Sequence, residues 1–417
     1  MHAKITHDGQ FHACRWQEET YTKYDQSENI HSTTPIKFFR ESMSDIRKKL
    51  LSGESLDMCN KCYDMDKHDK VSGRQKQLLK SGIALDQFEK TTLSSPMLEY
   101  FRQSVDEGKT DLLPIDWQVD LGNYCNSNCV FCHPMFSSSL ATEYKKLGII
   151  TEMPRKSWTE YPELVDDFID TLDKTDHLAY IHFLGGETLI TPAFKKMLTA
   201  LVDKGISQKV SIGFTTNLTV WREDLIELLS KFKMVNLGMS IECLSKLNDY
   251  VRYPSEINQV REILDRWIDV GQKNQWLLQF RITPTLLTIN ELTSVYELAY
   301  AKGIAVESCN FLTEPKILRP GVLPREHIDR AIATLKDWIS DKDREVSTVV
   351  NTRNPTHAKD QIVQDAKSYI KWLEESPDET AYQSDLVTFL KKIESSRNNS
   401  ILDYLPEYEQ FLRTAGY

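Results

Sequence analysis

The chain has 417 residues, of which 51 are basic and 61 acidic, and its formal net charge is −10 at pH 7. Hydrophobic residues make up 40% of the sequence and charged residues 27%, which excludes a chain that is disordered over most of its length. The acidic balance argues against general nucleic-acid binding, which requires a basic surface. No run of residues is long and apolar enough to cross a membrane, and residues 1–10 lack the apolar core of a signal peptide. We therefore expect a cytoplasmic protein without a membrane partner.

Residues 1–110 are predicted to form a separate N-terminal module. A hairpin with its turn at Asp8-Gly9 is predicted first, and a helix over residues 35–52 follows. Cys14 in the hairpin and the later Cys59-x2-Cys62 pair have the spacing of metal ligands. A structural zinc site with three cysteines and one histidine is one alternative, and a module without metal is another. The fourth ligand is left open between a residue elsewhere in the chain, the substrate, and the nearby residues His12, Asp64, Asp66 and His68.

A second group of cysteines follows a short predicted strand. Cys125, Cys129 and Cys132 have a C-x3-C-x2-C spacing, so three thiolates can converge on one inorganic cluster. Soft sulfur ligands favour iron–sulfur clusters or zinc. Three ligands leave one iron of a four-iron cluster open, and an open coordination position is typical of catalytic metal sites. The two isolated cysteines, Cys243 and Cys309, are predicted to be core residues.

Predicted strands and helices alternate from this motif to about residue 320. The pattern is typical of βαβ units and predicts an α/β fold with a parallel sheet, in which six units form a barrel or an incomplete barrel. The loops that follow parallel strands meet at one end of the sheet, where barrels carry their sites. The predicted strands are 117–121, 179–184, 210–215, 235–241, 278–284 and 304–310, and the predicted helices are 162–172, 193–202, 223–232, 257–270 and 291–301.

Short polar or glycine-rich segments end several of these strands, at the edge where a site is expected. The segments at the strand ends are Gly185-Gly186-Glu187, Thr215-Thr216-Asn217 and Met239-Ser240-Ile241-Glu242, and Arg252 follows the last of them.

Beyond residue 323 the sequence becomes amphipathic and rich in charge, which predicts a helical C-terminal extension with helices at 324–340, 357–374 and 385–395.

This combination of motifs resembles the radical S-adenosylmethionine (radical SAM) superfamily. The superfamily loop carries C-x3-C-x-aromatic-C, in which Phe131 is the aromatic residue here, and its next strand ends in Gly-Gly-Glu. The resemblance covers about residues 115–315. It implies a partial (βα)6 TIM-like barrel at 111–320, flanked by the small cysteine module at 1–110 and the helical extension at 321–417.

The resemblance also implies the cofactors and the residues that bind them. The three cysteines of the motif would ligate a [4Fe-4S] cluster, and S-adenosylmethionine would chelate the open iron through its amino and carboxylate groups. The carbonyl groups of Gly185 and Gly186, together with Glu187, would accept hydrogen bonds from the amino group of S-adenosylmethionine. Because Gly185 and Gly186 have no side chains, the backbone could also approach the methionine moiety.

Further contacts with S-adenosylmethionine are implied at the next two strand ends. Ser240 and Arg252 match a serine and an arginine that bind the carboxylate in relatives, for which a guanidinium offers two donors. Glu242 stands where those relatives have aspartate and is assigned no role. Thr216 and Asn217 would contact the ribose, with a helix cap as the alternative for Asn217.

The implied activity is reductive cleavage of S-adenosylmethionine to a 5′-deoxyadenosyl radical that abstracts hydrogen from a substrate. A peptide or protein side chain is the first expectation for that substrate, and dehydrogenation of a small-molecule sugar or alcohol is the alternative. The N-terminal cysteines resemble the twitch and SPASM-like modules that bind an auxiliary iron–sulfur cluster, here placed before the barrel. An electron donor such as flavodoxin or ferredoxin would be a partner. The alternative from another class is a non-catalytic scaffold with a structural zinc module, and no general base is assigned.

Overall fold

One sheet organises the part of the chain that the structure describes. This computed structural model describes residues 2–14, 29–67, 108, 110–307, 312–346 and 355–417. The strands in these ranges are β1 (His2–Ile5), β2 (Phe11–His12), β3 (Asp116–Asp120), β4 (Tyr180–Leu184), β5 (Ser211–Thr216), β6 (Met234–Ser240), β7 (Leu277–Arg281) and β8 (Ala305–Glu307). Across the described ranges their order is β2-β1-β3-β4-β5-β6-β7-β8, and every neighbouring pair except β1 and β2 is parallel.

Helices connect the parallel strands after β3 and then continue alone to the C-terminus. The predicted α/β class, with its parallel sheet and helical C-terminal region, is confirmed. A helical turn (Pro35–Lys37) and a π-helical turn (Phe38–Ser42) precede the first longer helix. The longer helices in the described ranges are α1 (Ser44–Leu51), α2 (Asn60–Lys67), α3 (Ser138–Lys146), α4 (Pro162–Asp173), α5 (Pro192–Asp203), α6 (Glu223–Leu229), α7 (Leu247–Val251), α8 (Ile257–Lys273), α9 (Leu292–Lys302), α10 (Arg325–Val346), α11 (Pro355–Glu374), α12 (Gln383–Arg397) and α13 (Glu409–Thr414).

Local sequence signals explain where these helices begin and end. Proline is the first residue of both α4 and α5, where its missing N–H group costs no hydrogen bond. The Ser137 side chain caps α3 by accepting a hydrogen bond from the N–H group of Leu140. Gly303 ends α9 with a φ of 65°, a left-handed conformation that glycine adopts without strain.

The two faces of the sheet differ in polarity. On the apolar face, Trp117 of β3 contacts Phe168 of α4, and Phe183 of β4 contacts Phe194 of α5, each with ring centroids 5.1 Å apart. Because side chains alternate along a strand, the intervening residues lie on the opposite face, which we call the polar face. Strand register places on this polar face Lys4, Gln118, His182, Asn236, Gln279, Arg281 and Glu307.

The N-terminal hairpin is part of the main sheet. Strands β1 and β2 pair around the predicted turn, and β1 also pairs in parallel with β3. Stacked and edge-on aromatic contacts join Phe11 to Phe38, Phe38 to Phe39, and Phe39 to Trp117. The structure thus adds to the predicted strands a further parallel strand that comes from the predicted N-terminal module. The division of the chain into 1–110, 111–320 and 321–417 stays a prediction.

The C-terminal helices pack back onto the strand-containing part of the chain. Tyr250 in α7 donates a hydrogen bond from its hydroxyl to Glu394 of α12, at 2.9 Å, and Tyr417 donates to the other oxygen of Glu394 at 2.7 Å. None of the helices in the described ranges combines the length and the hydropathy needed to span a membrane.

Candidate functional site

The cysteine loop lies at the edge of the sheet where the parallel strands end. It comprises residues 121–137, directly after β3, and contains Cys125, Cys129 and Cys132. Two backbone hydrogen bonds fix its position, because the N–H group of Asn128 donates to the Tyr253 carbonyl at 2.6 Å and that of Val130 donates to the Val251 carbonyl at 2.9 Å. The loop therefore lies against the C-terminal end of α7 and the residues that follow it.

The three thiols have the chemistry of a cluster-binding set. Burial and the nearby Cys129 raise the pKa of Cys125 to about 12, and burial followed by the other two cysteines raises the pKa of Cys132 further. Burial also raises the pKa of Cys129, although the neighbouring Arg252 opposes that shift. At neutral pH the thiols are protonated in the metal-free protein, so metal binding would release protons.

The described side chains do not form a preformed site for a single metal ion. In the described ranges, no three or more side chains of His, Cys, Asp or Glu are arranged to ligate one ion. Cysteine ligands of a four-iron cluster bind separate iron atoms, so their sulfur atoms lie farther apart than the ligands of one zinc ion. Assignment of the three cysteines as cluster ligands stays a prediction.

The Gly-Gly-Glu segment packs directly on the cysteine loop. The N–H group of Gly186 donates to the Gly122 carbonyl at 2.7 Å, and that of Glu187 donates to the Tyr124 carbonyl at 2.8 Å. A Cβ atom at Gly186 would collide with the Tyr124 carbonyl and lie 2.8 Å from the Cβ atom of Cys125. A Cβ atom at Gly185, whose φ is 145°, would lie 2.7 Å from the Gly122 carbonyl oxygen. These glycines are therefore required for contact between two protein segments, whatever they contribute to cofactor binding.

Glu187 connects the ends of β4 and β5. Its side chain is almost fully buried, and its carboxylate accepts hydrogen bonds from the N–H groups of Asn217 at 2.7 Å and Leu189 at 3.2 Å. Burial raises its pKa to about 7, while these hydrogen bonds oppose the shift. Each carboxylate oxygen has two lone pairs, so the carboxylate can still accept a bond from a bound amino group. The predicted contact with S-adenosylmethionine stays a prediction.

Asn217 holds the cysteine loop from the end of β5. Its amide nitrogen donates to the Asn126 side-chain oxygen and to the Ser127 hydroxyl, both at 2.9 Å, which uses both of its donors. Its amide oxygen accepts from the N–H group and the hydroxyl of Thr219. The neighbouring Thr216 is buried, and its hydroxyl accepts a hydrogen bond from the Leu218 N–H group. The hydrogen bonds of the Asn217 side chain give this residue a structural role in holding the loop. Contact of Thr216 and Asn217 with a ribose stays a prediction.

Arg252 reaches the cysteine loop, but its strongest partner is Glu242. Its Nε and Nη2 atoms donate to the two carboxylate oxygens of Glu242 at 2.5 and 2.6 Å, and both side chains are buried. Its Nη1 atom lies 3.8 Å from the Cys129 sulfur, and its guanidinium carbon lies 5.3 Å from the centroid of the Phe131 ring. Ser240, the other predicted carboxylate ligand, is the last residue of β6 and is partly buried.

Glu242 is therefore a site residue to which the sequence assigns no role. The sequence feature that could point to Glu242 is its position, two residues beyond the end of the buried strand β6 and ten residues before Arg252. That signal predicts neither its burial nor its partner, because both depend on how α7 folds back toward the cysteine loop.

A second pair that the sequence does not reveal joins α12 to the cysteine loop. Arg397 donates to the carboxylate of Glu143 in α3 at 2.9 and 2.7 Å, and to the Asn128 carbonyl at 2.8 Å. Asn128 precedes the ligand candidate Cys129, so the C-terminal extension contacts the backbone that positions this cysteine. No local pattern predicts the contact, because charged residues are common along amphipathic helices.

The N-terminal cysteines lie apart in the chain and only partly on defined elements. Cys14 follows β2 and Cys59 ends a short 3-10 turn, and both are partly buried; Cys62 lies in α2 and is buried. His12 is 2% exposed, and neither of its ring nitrogens has a hydrogen-bond partner in the described part of the chain. Burial, with the neighbouring Lys4, lowers the pKa of His12 to about 4, which favours the neutral form that binds metals.

The other proposed members of the N-terminal site are less well defined. Asp66 is partly buried, and the side chain of Asp64 is not described. His68 and the predicted core residue Cys309 lie outside the described residues, whereas Cys243 is fully buried, as predicted.

Asp120, the last residue of β3, is a buried carboxylic acid beside the cysteine loop. Burial raises its pKa from 3.8 to about 6, against the opposing effects of the Gly122 N–H group, His7 and Lys4. A raised folded-state pKa stabilises the fold below pH 3.8, where both states are protonated, and this contribution is lost as pH rises to about 6.

Asp120→Asn is therefore expected to raise the free energy of unfolding at pH 7.5 by about 3 kcal/mol, since one pKa unit corresponds to about 1.4 kcal/mol. Below pH 4 the variant and the wild type are expected to be equally stable. Urea unfolding of both proteins at the two pH values tests this. The interpretation is wrong if their difference in stability does not change with pH.

Comparison with known proteins supports part of this picture. Residues 119–299 match the family model described as the Radical SAM superfamily, which is less than half of the 417 residues. The matched stretch runs from β3 into α9 and contains the cysteine loop, the Gly-Gly-Glu segment, Ser240 and Arg252. A search of curated proteins found no match.

Solved structures similar to this chain include two of Streptococcus suis SuiB. SuiB bound to S-adenosylmethionine is 16% identical with a TM-score of 0.40, over 65% of this chain and 60% of SuiB. SuiB bound to precursor peptide SuiA is 17% identical with a TM-score of 0.39, over 69% of this chain and 60% of that one. Native anSMEcpe with bound AdoMet is 16% identical with a TM-score of 0.40, over 56% and 62%. The match thus spans about 60% of the length of SuiB.

Proposed function

We propose that this chain is a radical S-adenosylmethionine enzyme. The observation that carries the proposal is the direct packing of a three-cysteine loop on a Gly-Gly-Glu segment at the carboxyl edge of a parallel sheet. Both segments lie within the stretch that matches the Radical SAM superfamily model, whose members are enzymes.

The roles that we propose for the residues are those that the resemblance implies. Cys125, Cys129 and Cys132 would hold a [4Fe-4S] cluster, with Phe131 between the second and third ligands in the sequence. When bound, the cluster and S-adenosylmethionine supply a one-electron reductive cleavage that yields a 5′-deoxyadenosyl radical and methionine. The residues of the protein orient the bound molecules and exclude water from them.

Further contacts with three groups of S-adenosylmethionine belong to this proposal. Glu187, with the carbonyl groups of Gly185 and Gly186, would bind the amino group. Ser240 and one edge of the Arg252 guanidinium would bind the carboxylate. The side chains at the end of β5, Thr216 and Asn217, would face the ribose. An orientation of this kind contributes to the rate because the reacting atoms are held in place before the reaction.

The polar face of the sheet supports a polar substrate. Arg281 and Glu307 form an ion pair at 2.7 Å beside Ser240, and both side chains are partly exposed. Tyr180 and His182 form a hydrogen bond at 3.1 Å on the same face. Groups of both charge signs can bind the amides and charged side chains of a peptide. We therefore propose that hydrogen is abstracted from a peptide or protein side chain.

The N-terminal cysteines are proposed to bind an auxiliary iron–sulfur cluster. The support is the metal-like spacing of Cys14, Cys59 and Cys62 together with the buried imidazole of His12, which has no hydrogen-bond partner among the described residues. Cys14→Ala is then expected to lower iron and sulfide per chain to the content of one cluster while the cluster in the cysteine loop remains. Unchanged iron and sulfide would remove Cys14 from this site.

Metal analysis and product analysis of the same sample test the proposed function. After anaerobic reconstitution of the full chain, iron, sulfide and zinc are measured, and 5′-deoxyadenosine is measured after reduction with dithionite in the presence of S-adenosylmethionine. About eight irons per chain would support two four-iron clusters. About four irons with one zinc would keep the radical chemistry but make the N-terminal module structural. A chain that binds no iron, or forms no 5′-deoxyadenosine, would overturn the proposal.

A further inference from the structure

The guanidinium of Arg252 lies between a carboxylate and a cysteine sulfur. Its Nε and Nη2 atoms are taken by Glu242, and its Nη1 atom points to the sulfur of Cys129 at 3.8 Å. The Phe131 ring lies under the guanidinium carbon at 5.3 Å. A bidentate arginine–carboxylate pair fixes the plane of the guanidinium, so the direction of Nη1 is set by Glu242.

Glu242 is suited to this task because it is held on both sides. It is fully buried, and its Oε1 atom also accepts a hydrogen bond from the Thr283 N–H group at 3.3 Å. A buried carboxylate is costly unless it is paired, and a buried pair contributes specificity of orientation more reliably than stability. The pair therefore places one N–H donor at Cys129 and at no other predicted cluster ligand.

We propose that Glu242 is a positioning residue that directs Arg252 to the Cys129 sulfur, and that this contact raises the reduction potential of the bound cluster. The inference rests on the proposed function, since it concerns the cluster held by the three cysteines. Hydrogen bonds to cluster sulfurs and the local net charge set the potential of iron–sulfur clusters. A cationic donor favours the reduced cluster, which has gained one electron, and the carboxylate of Glu242 offsets part of this effect.

The two partners are therefore expected to shift the potential in opposite directions. Arg252→Gln removes the cationic donor and leaves the carboxylate, so the midpoint potential is expected to fall. Glu242→Gln removes the negative charge but keeps an oxygen that can accept a hydrogen bond from Arg252, so the midpoint potential is expected to rise. Glu242→Ala also removes this acceptor, so Arg252 is no longer directed to the Cys129 sulfur and the potential is expected to be lower than in Glu242→Gln. Asp224→Asn is the matched control, because Asp224 pairs with Arg222 in the same bidentate manner, at 2.8 and 2.7 Å, away from the three cysteines. The control is expected to keep the wild-type potential.

The measurement is EPR-monitored potentiometry of the reconstituted full chain without S-adenosylmethionine, so that changes in cofactor affinity do not enter. Iron per chain is measured on the same samples. If a single variant fails to fold, the Glu242→Gln/Arg252→Gln double variant replaces it, because it leaves no unpaired buried ion. Its potential is expected to lie between those of the two single variants.

The outcomes separate this inference from the proposed function. Equal potentials in wild type, Arg252→Gln, Glu242→Gln and the double variant, with wild-type iron content, would overturn the inference and leave the proposed function intact. Equal potentials in Glu242→Gln and Glu242→Ala would overturn the positioning role of Glu242. Absence of a cluster from the wild-type protein would instead overturn the proposed function.

Discussion

Replacement of Cys132 with alanine is expected to abolish 5′-deoxyadenosine formation and to lower the iron content by one cluster. The physical reason is that the variant retains two of three thiolate ligands for the cluster in the cysteine loop. Loss of a residue that merely supports a metal ligand typically lowers metal affinity or activity by about 10–100-fold. Loss of a ligand itself is expected to exceed that range and to leave activity at the background level.

The same experiment needs a control that removes a cysteine outside the motif. Cys243 follows β6 and is fully buried, and Cys243→Ala removes the same atom while all three thiols of the cysteine loop remain. This control is expected to retain the iron content and the product yield of the wild type. Full iron content and normal product formation in Cys132→Ala would contradict both the ligand assignment and the reaction that depends on it.

Much of the fold could be predicted from the sequence because the signals are local. Each predicted strand of the α/β region overlaps an observed one, and each predicted helix there does too. Hydrophobic periodicity and helix-capping residues involve only a few neighbouring positions, so they can be recognised in a single sequence. The position of the cysteine loop at the carboxyl edge also follows from general rules for parallel strands.

The contacts that hold the site depend on residues far apart in the chain. Arg397 and Glu143 are separated by 254 positions, and Asn217 lies 91 residues from Asn126. Such pairs are defined by tertiary packing, for which one sequence carries no local signal. The sequence does not predict the parallel pairing of β1 with β3 for the same reason, since the hairpin alone accounts for the sequence pattern of β1.

The site also shows why a motif does not fix the partners of its residues. The Gly-Gly-Glu motif predicts close backbone approach, and the structure places Gly122 and Tyr124 of the cysteine loop at that position. Arg252 is similarly predicted to bind a carboxylate, and the described structure pairs it with Glu242 of the same chain. Sequence therefore predicts the type of interaction more securely than the group that provides it.

Arg397→Ala is expected to lower the free energy of unfolding by about 3–5 kcal/mol, the usual cost of breaking a buried ion pair by removing one partner. The pair of Arg397 and Glu143 is suited to this estimate, because the two side chains are 0% and 9% exposed. Although burial alone would raise it, the pKa of Glu143 is lowered by hydrogen bonds from Arg397 and Ser396. A lowered carboxylate pKa stabilises the fold above the unfolded pKa of 4.5 and is lost as pH falls below it, so the variant is expected to lose less stability at pH 4 than at pH 7.5.

Arg413→Ala provides the control, because Arg413 forms an exposed pair with Glu409 in the same C-terminal region. Exposed pairs contribute about 0–1 kcal/mol, so urea unfolding should separate the two variants clearly. Since Arg397 also binds the Asn128 carbonyl beside Cys129, iron per chain is expected to fall in Arg397→Ala and to stay unchanged in Arg413→Ala. Equal stability and equal iron content in both variants would show that the helical extension does not support the cysteine loop. The expected result would mean that residues beyond the matched stretch are needed to shape the site within it.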